Sequence, residues 1–445
     1  MAVRTSRRQF LGAAGLAGVA GVAGVPGVAL AAPPRQENAV PPLPARPDAA
    51  PAALAANETY WRSVAAQYAV TAEVTNLEAG YWGMMSRPVL ARYQQYTERV
   101  NAGSSFYARG QYLQDLEAVR ARVAASLGVD VSEIALTRGA TEALQCLISG
   151  YNRLKPGDAV LYADVDYPAM QYAMKWLADR RGVRVERMAL PEPATRAAVI
   201  AAYAAAMEST PALRLLLLTH VNNKTGLVLP VAEIAALARQ RGVDVIVDAA
   251  HAWGQVEFSI GTLGPDFIGV NLHKWIGAPV GVGAMYIRKG RLADIDRMMA
   301  NEDEPGDSIL SRVHSGTANF AALLSVPAAL DFHDALGERY KLARLRYLRD
   351  RWVQAVRAVP GIDVLTPDEP GMAGAITSFR LQGRKTQEEN QRIVDELVKR
   401  YGLFTVRRTG LEQGDCVRVT PALYNSVADV DRLVAALKAM AATAA

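Results

Sequence analysis

The chain has 445 residues, 51% of them hydrophobic and 21% charged, an ordinary globular balance with enough length to bury a large core unaided. Its formal net charge is +5, but three arginines and no acid fall in the first 31 residues, which leaves +2 on the rest. With no long run of Lys or Arg, nucleic acid is excluded as the expected partner. Cys146 and Cys416 are the only cysteines, too few for a disulfide framework or a cysteine metal site, and both read as buried small apolar residues.

The N-terminus reads as an address. Arg4, Arg7 and Arg8 make a positive region, and Ser6-Arg7-Arg8-Gln9-Phe10-Leu11 resembles a twin-arginine export signal. A mildly hydrophobic Gly/Ala/Val stretch follows from Gly12 to Leu30, and Ala29-Leu30-Ala31 fits an A-x-A cleavage site. Residues 1–31 are therefore expected to be a signal peptide. It would send the protein to the periplasm or the extracellular space, with no stable membrane association after processing. Residues 32–56 are rich in Pro and Ala and are expected to form a disordered linker.

Residues 57–115 read as an N-terminal helical segment, broken near Leu77 to Gly83. From Glu133 to Arg288 short apolar runs alternate with helical stretches. The runs include Ile134–Thr137, Ala159–Tyr162, Val183–Val185, Leu213–Leu218, Val243–Val247, Phe267–Val270 and Val282–Ile287. Such alternation predicts crossover units and an α/β fold. A large domain over 116–325 would hold a mostly parallel sheet of the seven-stranded type, flanked by helices. A smaller α+β domain over 326–445 would carry short strands near Ile376–Leu381 and Val417–Val419, with helices at Thr386–Arg400 and Ser426–Ala439.

Ligands of open α/β sheets sit beyond the carboxyl ends of the strands, and four chemical signals stand there. Arg138-Gly139-Ala140-Thr141 joins a strand to a helix start, whose free N–H groups suit a phosphate as well as an ordinary cap. Asp248 ends a buried run and needs a partner or a capping role there. Lys274 follows the Phe267–Val270 run. It is either a solvated strand-end lysine or an amine with a lowered pKa, able to condense with an aldehyde. Asn223 lies in Thr219-His-Val-Asn-Asn-Lys-Thr-Gly226, after the Leu213–Leu218 run.

Taken together, these segments resemble the class V aminotransferases of PLP fold type I, nearest to the isopenicillin N epimerase-like branch and the cysteine desulfurases. The motifs that carry the resemblance are Thr219–Gly226, Asp248-Ala-Ala-His251, Asn271-Leu-His-Lys274-Trp275, Gly316-Thr317 and Val417-Arg418-Val-Thr-Pro-Ala-Leu-Tyr424-Asn425, and it runs from about Val70 to Leu437. It implies pyridoxal 5'-phosphate held by Lys274 as a Schiff base, with Asp248 on the pyridinium nitrogen and Tyr167 stacked on the ring. Gly139, Ala140, Thr141 and His273 would hold the phosphate, and Asn223 and His251 would bond the phenolic oxygen. Gly316 and Thr317 would reach the phosphate of a neighbouring subunit, which makes a homodimer with shared active sites the expected assembly. Arg418 would grip the carboxylate of an amino-acid substrate, and Tyr81 and Tyr107 are further substrate-side candidates. Arg408 reads either as a second arginine of the pocket, for a dicarboxylic or long acidic substrate, or, by preference, as a solvated loop residue.

Two departures bear on the reaction. Desulfurases need a cysteine on the loop before the Arg418 motif; here Arg407–Asp415 has none, and Cys416 belongs to the following strand. Asn271 stands where desulfurases carry a phosphate-binding serine. The expected activity is therefore epimerisation or transamination at Cα, with a β-eliminating lyase second and a non-catalytic cofactor-binding module as the alternative from another class.

Overall fold

The computed structural model describes residues 42–299 and 301–444, so the expected signal peptide and the start of the linker lie outside the described residues. Seven strands form one sheet, in the spatial order Ile134–Thr137, Gly283–Ile287, Phe267–Asn271, Asp244–Ala249, Leu213–Thr219, Ala159–Ala163 and Arg184–Met188. All neighbours are parallel except Gly283–Ile287, which runs antiparallel to both strands it touches. Helices cover both faces, which explains the continuous apolar runs. Leu215 and Leu217 face a core shared with Leu144, Met170 and Met174. Leu216 and Leu218 face the opposite core, with Val199, Tyr203 and Ile234.

The smaller domain has a four-stranded antiparallel sheet ordered Val406–Arg408, Cys416–Val419, Thr377–Leu381 and Ile362–Val364. Helices Glu338–Val356, Gln387–Tyr401 and Val427–Ala444 share its core, where Trp352 meets Phe379 edge to face at 6.4 Å. Phe379 is fully buried. Phe379→Ala is expected to lower the free energy of unfolding by about 3–5 kcal/mol, seen as an earlier denaturant midpoint.

Three boundaries move from those expected. The linker reading fails from Pro51 onward. Pro51–Ala55 is helical, with Leu54 and Ala55 buried and the Trp61 indole donating to the Leu54 carbonyl at 2.8 Å. The Leu54 and Trp61 side chains give this stretch apolar surface to dock, which the Pro/Ala composition masks. Helix Val326–Leu336 shares a core with the large sheet, so the change of domain falls near Gly337 rather than at residue 326. Finally, the segment before helix Arg87–Arg109 is not merely a break. Thr75–Asn76 pairs in parallel with Leu403–Phe404, Leu77 is buried in the smaller domain's core, and Ala79 N–H donates to the Thr420 carbonyl at 3.1 Å.

Candidate active site

The carboxyl ends of the large sheet open onto a cleft of about 550 Å³. At one end, strand Ile134–Thr137 passes through Arg138 and Gly139 into helix Ala140–Gly150. Gly139 sits at φ 149°, where only glycine is at ease. A Cβ there would meet Asn271 Oδ1 and His273 Cε1 at 3.2 Å each, crowding the cradle. Asn271 Oδ1 accepts from Ala140 N–H at 2.7 Å and fixes the helix start against the neighbouring strand end. The next N–H groups, those of Thr141 and Glu142, have no partner inside the helix and suit an anion. His273 completes this end, with Nδ1 2.8 Å from the Val282 carbonyl.

Along the cleft, strand Ala159–Ala163 leads to Tyr167 at the start of helix Pro168–Arg181. The turn is locked by Asp166, which accepts from Ala163 N–H at 2.7 Å and from the Thr219 hydroxyl at 2.6 Å. Gln171 Nε2 adds bonds to the Asp164 and Asp166 carbonyls at 3.0 and 2.7 Å. Tyr167 remains 41% exposed, so a ring face is free to stack. Burial and the nearby Asp248 push the Asp166 carboxyl up to about 7. Asn222 is consumed by its own turn, its Oδ1 accepting from Lys224 N–H and Thr225 N–H at 2.8 Å each. Asn223 turns to the cleft, and its buried Oδ1 has no hydrogen-bond partner.

Asp248 ends strand Asp244–Ala249 and is buried, with Oδ1 accepting from Ala250 N–H at 2.9 Å. No other hydrogen bond reaches this carboxylate among the described residues. Burial raises its pKa against the pull of Lys274, so a cationic partner would relieve a real cost.

Lys274 Nζ lies 2.8 Å from His251 Nε2, and the Trp275 indole N–H donates to His251 Nδ1 at 3.3 Å. Burial and the adjacent cations keep His251 neutral. A neutral ring accepting at Nδ1 carries its proton on Nε2, so His251 donates to the lone pair of Lys274 once that amine has lost its own proton. Burial, opposed by Asp248, lowers Lys274 to about 8. Only the neutral amine condenses with an aldehyde. Loading of the apoprotein with cofactor is therefore expected to accelerate as pH rises through about 8 and to level off above it. An ordinary lysine would still be gaining at pH 10; stopped-flow absorbance checks this.

The far end of the cleft holds an arginine pair that the sequence only half discloses. Arg418, fully buried on strand Cys416–Val419, gives Nη1 to the Asn223 carbonyl at 2.7 Å and its Nε/Nη2 edge to the Glu78 carboxylate. Arg408 is not a solvated loop residue. It ends strand Val406–Arg408, lines the cleft, and its Nη2 lies 3.5 Å from Glu78. Burial and Arg418 lower its pKa to about 10. Glu78 went unread because nothing local distinguishes it; its partners lie more than 300 positions along the chain.

The model of the family described as aminotransferase class-V matches residues 83–433. The chain belongs to this family. Among its relatives is the isopenicillin N epimerase of Streptomyces clavuligerus, 29% identical over 399 residues that span 85% of this chain and 98% of that protein. Two solved structures share the fold. The cysteine desulfurase CsdA of Escherichia coli superposes with a TM-score of 0.71 at 22% identity, covering 85% of this chain and 98% of that one. The cystine C-S lyase C-DES, in complex with its product cysteine persulfide, gives 0.72 at 22% identity over 82% and 98%.

As a class-V aminotransferase family member the chain is a pyridoxal-phosphate enzyme of fold type I, and the cleft fits the cofactor. It offers a glycine cradle at a helix start for the phosphate, an orphaned amide at Asn223, and a buried carboxylate short of a partner at Asp248. Of the residues singled out from sequence, Gly139, Ala140, Thr141, Tyr167, Asn223, Asp248, His251, His273, Lys274, Tyr81 and Arg418 line this one cleft. Tyr107 does not. It is buried, its hydroxyl donates to Asp115 at 2.6 Å, and Arg99 stacks on its ring at 4.7 Å. Burial and Asp115 push its pKa up to about 12, which leaves it unfit as a proton donor to substrate. Gly316 and Thr317 are also outside the cleft, exposed on the segment that follows Ser315, whose hydroxyl bonds Glu142 at 2.9 Å. Both cysteines are free and buried, and Cys416 lies within its strand.

Proposed function

We propose that this class-V enzyme works at the Cα of an amino acid as an epimerase or an aminotransferase, rather than as a persulfide-forming desulfurase. Bound in the cleft, pyridoxal phosphate supplies an electron sink for the bond broken at Cα. The observation that carries the reading is Lys274, buried and held 2.8 Å from His251 beside Asp248, in a cleft whose described lining has no cysteine. Lys274 Nζ would hold the cofactor and is the base placed to take the Cα proton and return it. Asp248 would keep the ring nitrogen protonated, Tyr167 would cover a ring face, and Asn223 with His251 would donate to the phenolic oxygen. The arginine corner orients the substrate carboxylate. Epimerisation needs a second donor on the opposite face, and with Tyr107 excluded Tyr81 or water takes that part.

The loop before Arg418 supports the choice of reaction. Lys224 Nζ donates to the Gly410 carbonyl at 3.3 Å, Glu412 N–H donates to Asp164 Oδ2 at 3.1 Å, and Leu411 is buried. A loop tied down in this way and lacking a thiol suits a wall better than a sulfur carrier. We also propose that the active unit is a homodimer in which Gly316 and Thr317 serve the partner's phosphate site, and that the twin-arginine-like leader exports the protein.

The test is to incubate the holoenzyme with L- and D-amino acids in deuterated water. Deuterium at Cα in both enantiomers marks an epimerase, and keto acid with the amine form of the cofactor marks an aminotransferase. Pyruvate with ammonia and a released side-chain fragment would instead make it a lyase. No exchange with any amino acid would leave a cofactor-binding module and overturn the proposal.

A further inference from the structure

The arginine corner raises a question of charge that the reaction alone does not answer. Two guanidinium groups at the end of a cleft would ordinarily suit two carboxylates, hence a dicarboxylic amino acid. Here the chain supplies one carboxylate itself. Glu78 is buried, its Oε1 contacts Arg418 Nη2, its Oε2 lies 3.3 Å from Arg418 Nε, and Arg408 Nη2 is 3.5 Å away.

Donor counting shows what is left. A guanidinium has five N–H groups. On Arg418, Glu78 takes the Nε/Nη2 edge and the Asn223 carbonyl takes one hydrogen of Nη1. The guanidinium also lies against Gly80, where a Cβ would sit 2.5 Å from Nη2, so its flank is closed by backbone. Arg408 lines the cleft, and its buried Nε has no hydrogen-bond partner among the described residues. Two cations and one carboxylate leave a single unmatched positive charge.

The segment carrying Glu78 is held firmly. Glu78 N–H donates to Asn76 Oδ1 at 2.8 Å, and Thr420 N–H donates to the Leu77 carbonyl at 2.7 Å. Further along, Gly83 N–H donates to the His273 carbonyl at 2.8 Å, and Gly83 packs so closely on the Lys274 carbonyl that a Cβ would lie 1.7 Å from it. Glu78 is thus placed by the same strap that crosses behind Lys274.

We infer that Glu78 is a specificity-determining residue that stands in for a second ligand carboxylate, so that the site accepts substrates with one carboxylate and rejects dicarboxylic ones. The inference rests on the proposed reading of the cleft as an amino-acid site. The α-carboxylate is bound chiefly by Arg408 and by the remaining Nη1/Nη2 hydrogens of Arg418. A second acidic group on the substrate finds the corner's second positive charge already matched by Glu78, which lies behind the two arginines, and the repulsion of that buried carboxylate disfavours it.

The test is calorimetric titration of the holoenzyme with two probes, propionate and glutarate, which reads binding without turnover. The wild type is expected to prefer propionate. Glu78→Gln keeps the shape and a hydrogen bond to Arg418 while removing the charge. It is expected to shift the preference toward glutarate by roughly tenfold, the size of effect that one charge exerts over about 10 Å at an effective dielectric of about 20. Arg408→Gln, independently, is expected to weaken propionate by about the same factor. An unchanged glutarate-to-propionate ratio in Glu78→Gln overturns the assignment, as does propionate binding that survives Arg408→Gln. A wild-type protein that cannot be loaded with cofactor overturns the reading of the cleft and this assignment with it. Retained cofactor with an unchanged ratio overturns this assignment alone.

Discussion

Lys274→Ala is expected to lower turnover by roughly 10³–10⁴-fold, at the upper end of what a positioned general base contributes. The variant should also lose the long-wavelength absorbance of lysine-linked cofactor. Two physical terms underlie the size of the loss. Lys274 Nζ is the amine that anchors the cofactor, and it is the base nearest the substrate carbon in the proposed reading. Burial lowers its pKa to about 8, so the amine is deprotonated far more readily than an ordinary lysine, and His251 Nε2 lies 2.8 Å from it. Lys274→Arg separates the terms, since it retains positive charge and length but has no nucleophilic amine at neutral pH. The arginine variant should be as inactive as the alanine variant. External methylamine should restore part of the Cα exchange in Lys274→Ala and none in Lys274→Arg, where the guanidinium fills the space. Folding is not the cause to fear, because the loop around Lys274 is held through backbone, by Gly83 N–H on the His273 carbonyl. A Lys274→Ala protein with more than about one-tenth of wild-type exchange would place the chemistry elsewhere.

How much of this was legible in the chain follows from where each residue lies along it. Asp248 lies at the end of a strand of the large sheet, Gly139, Tyr167, Asn223 and Lys274 each come within four residues after one, and these strands run the same way and bring their carboxyl ends to one edge. Reading the runs therefore read the cleft. The smaller domain was harder. Strand Val406–Arg408 has three residues and no apolar run, so Arg408 looked like loop. Glu78 acts on Arg418 only because Thr75–Asn76 joins the far Leu403–Phe404 strand, a pairing with no local signal. Tyr107 failed for the opposite reason. It falls in the segment read as helical, and helix Arg87–Arg109, interrupted at Ser104, φ 45°, delivers the ring to Asp115. The linker reading failed at Leu54, where one large apolar side chain outweighs a disorder-like composition.

Asp248→Asn is expected to lower turnover by about 10²–10³-fold, comparable to deleting one preorganised electrostatic contact at a developing charge. The substitution is informative because it separates capping from charge. Asparagine can still accept from Ala250 N–H, the one hydrogen bond to the Asp248 carboxylate among the described residues, so the fold is expected to lose no more than about 1 kcal/mol. What is lost is the negative charge. Without it nothing holds a proton on the pyridine nitrogen at neutral pH, and the ring withdraws electrons poorly. The sign of the pH dependence follows. Acid protonates the ring nitrogen directly, so the variant's residual activity, relative to wild type, should rise as pH falls. Asp248→Glu restores the charge at the expense of geometry and should recover part of the loss. If Asp248→Asn stays within about tenfold of wild type at pH 7, the carboxylate is only a cap on the Ala250 turn. The buried Asp248 would then need another reason for its place beneath the cleft. Its raised pKa supplies none, since a neutral carboxyl would cap no better than asparagine.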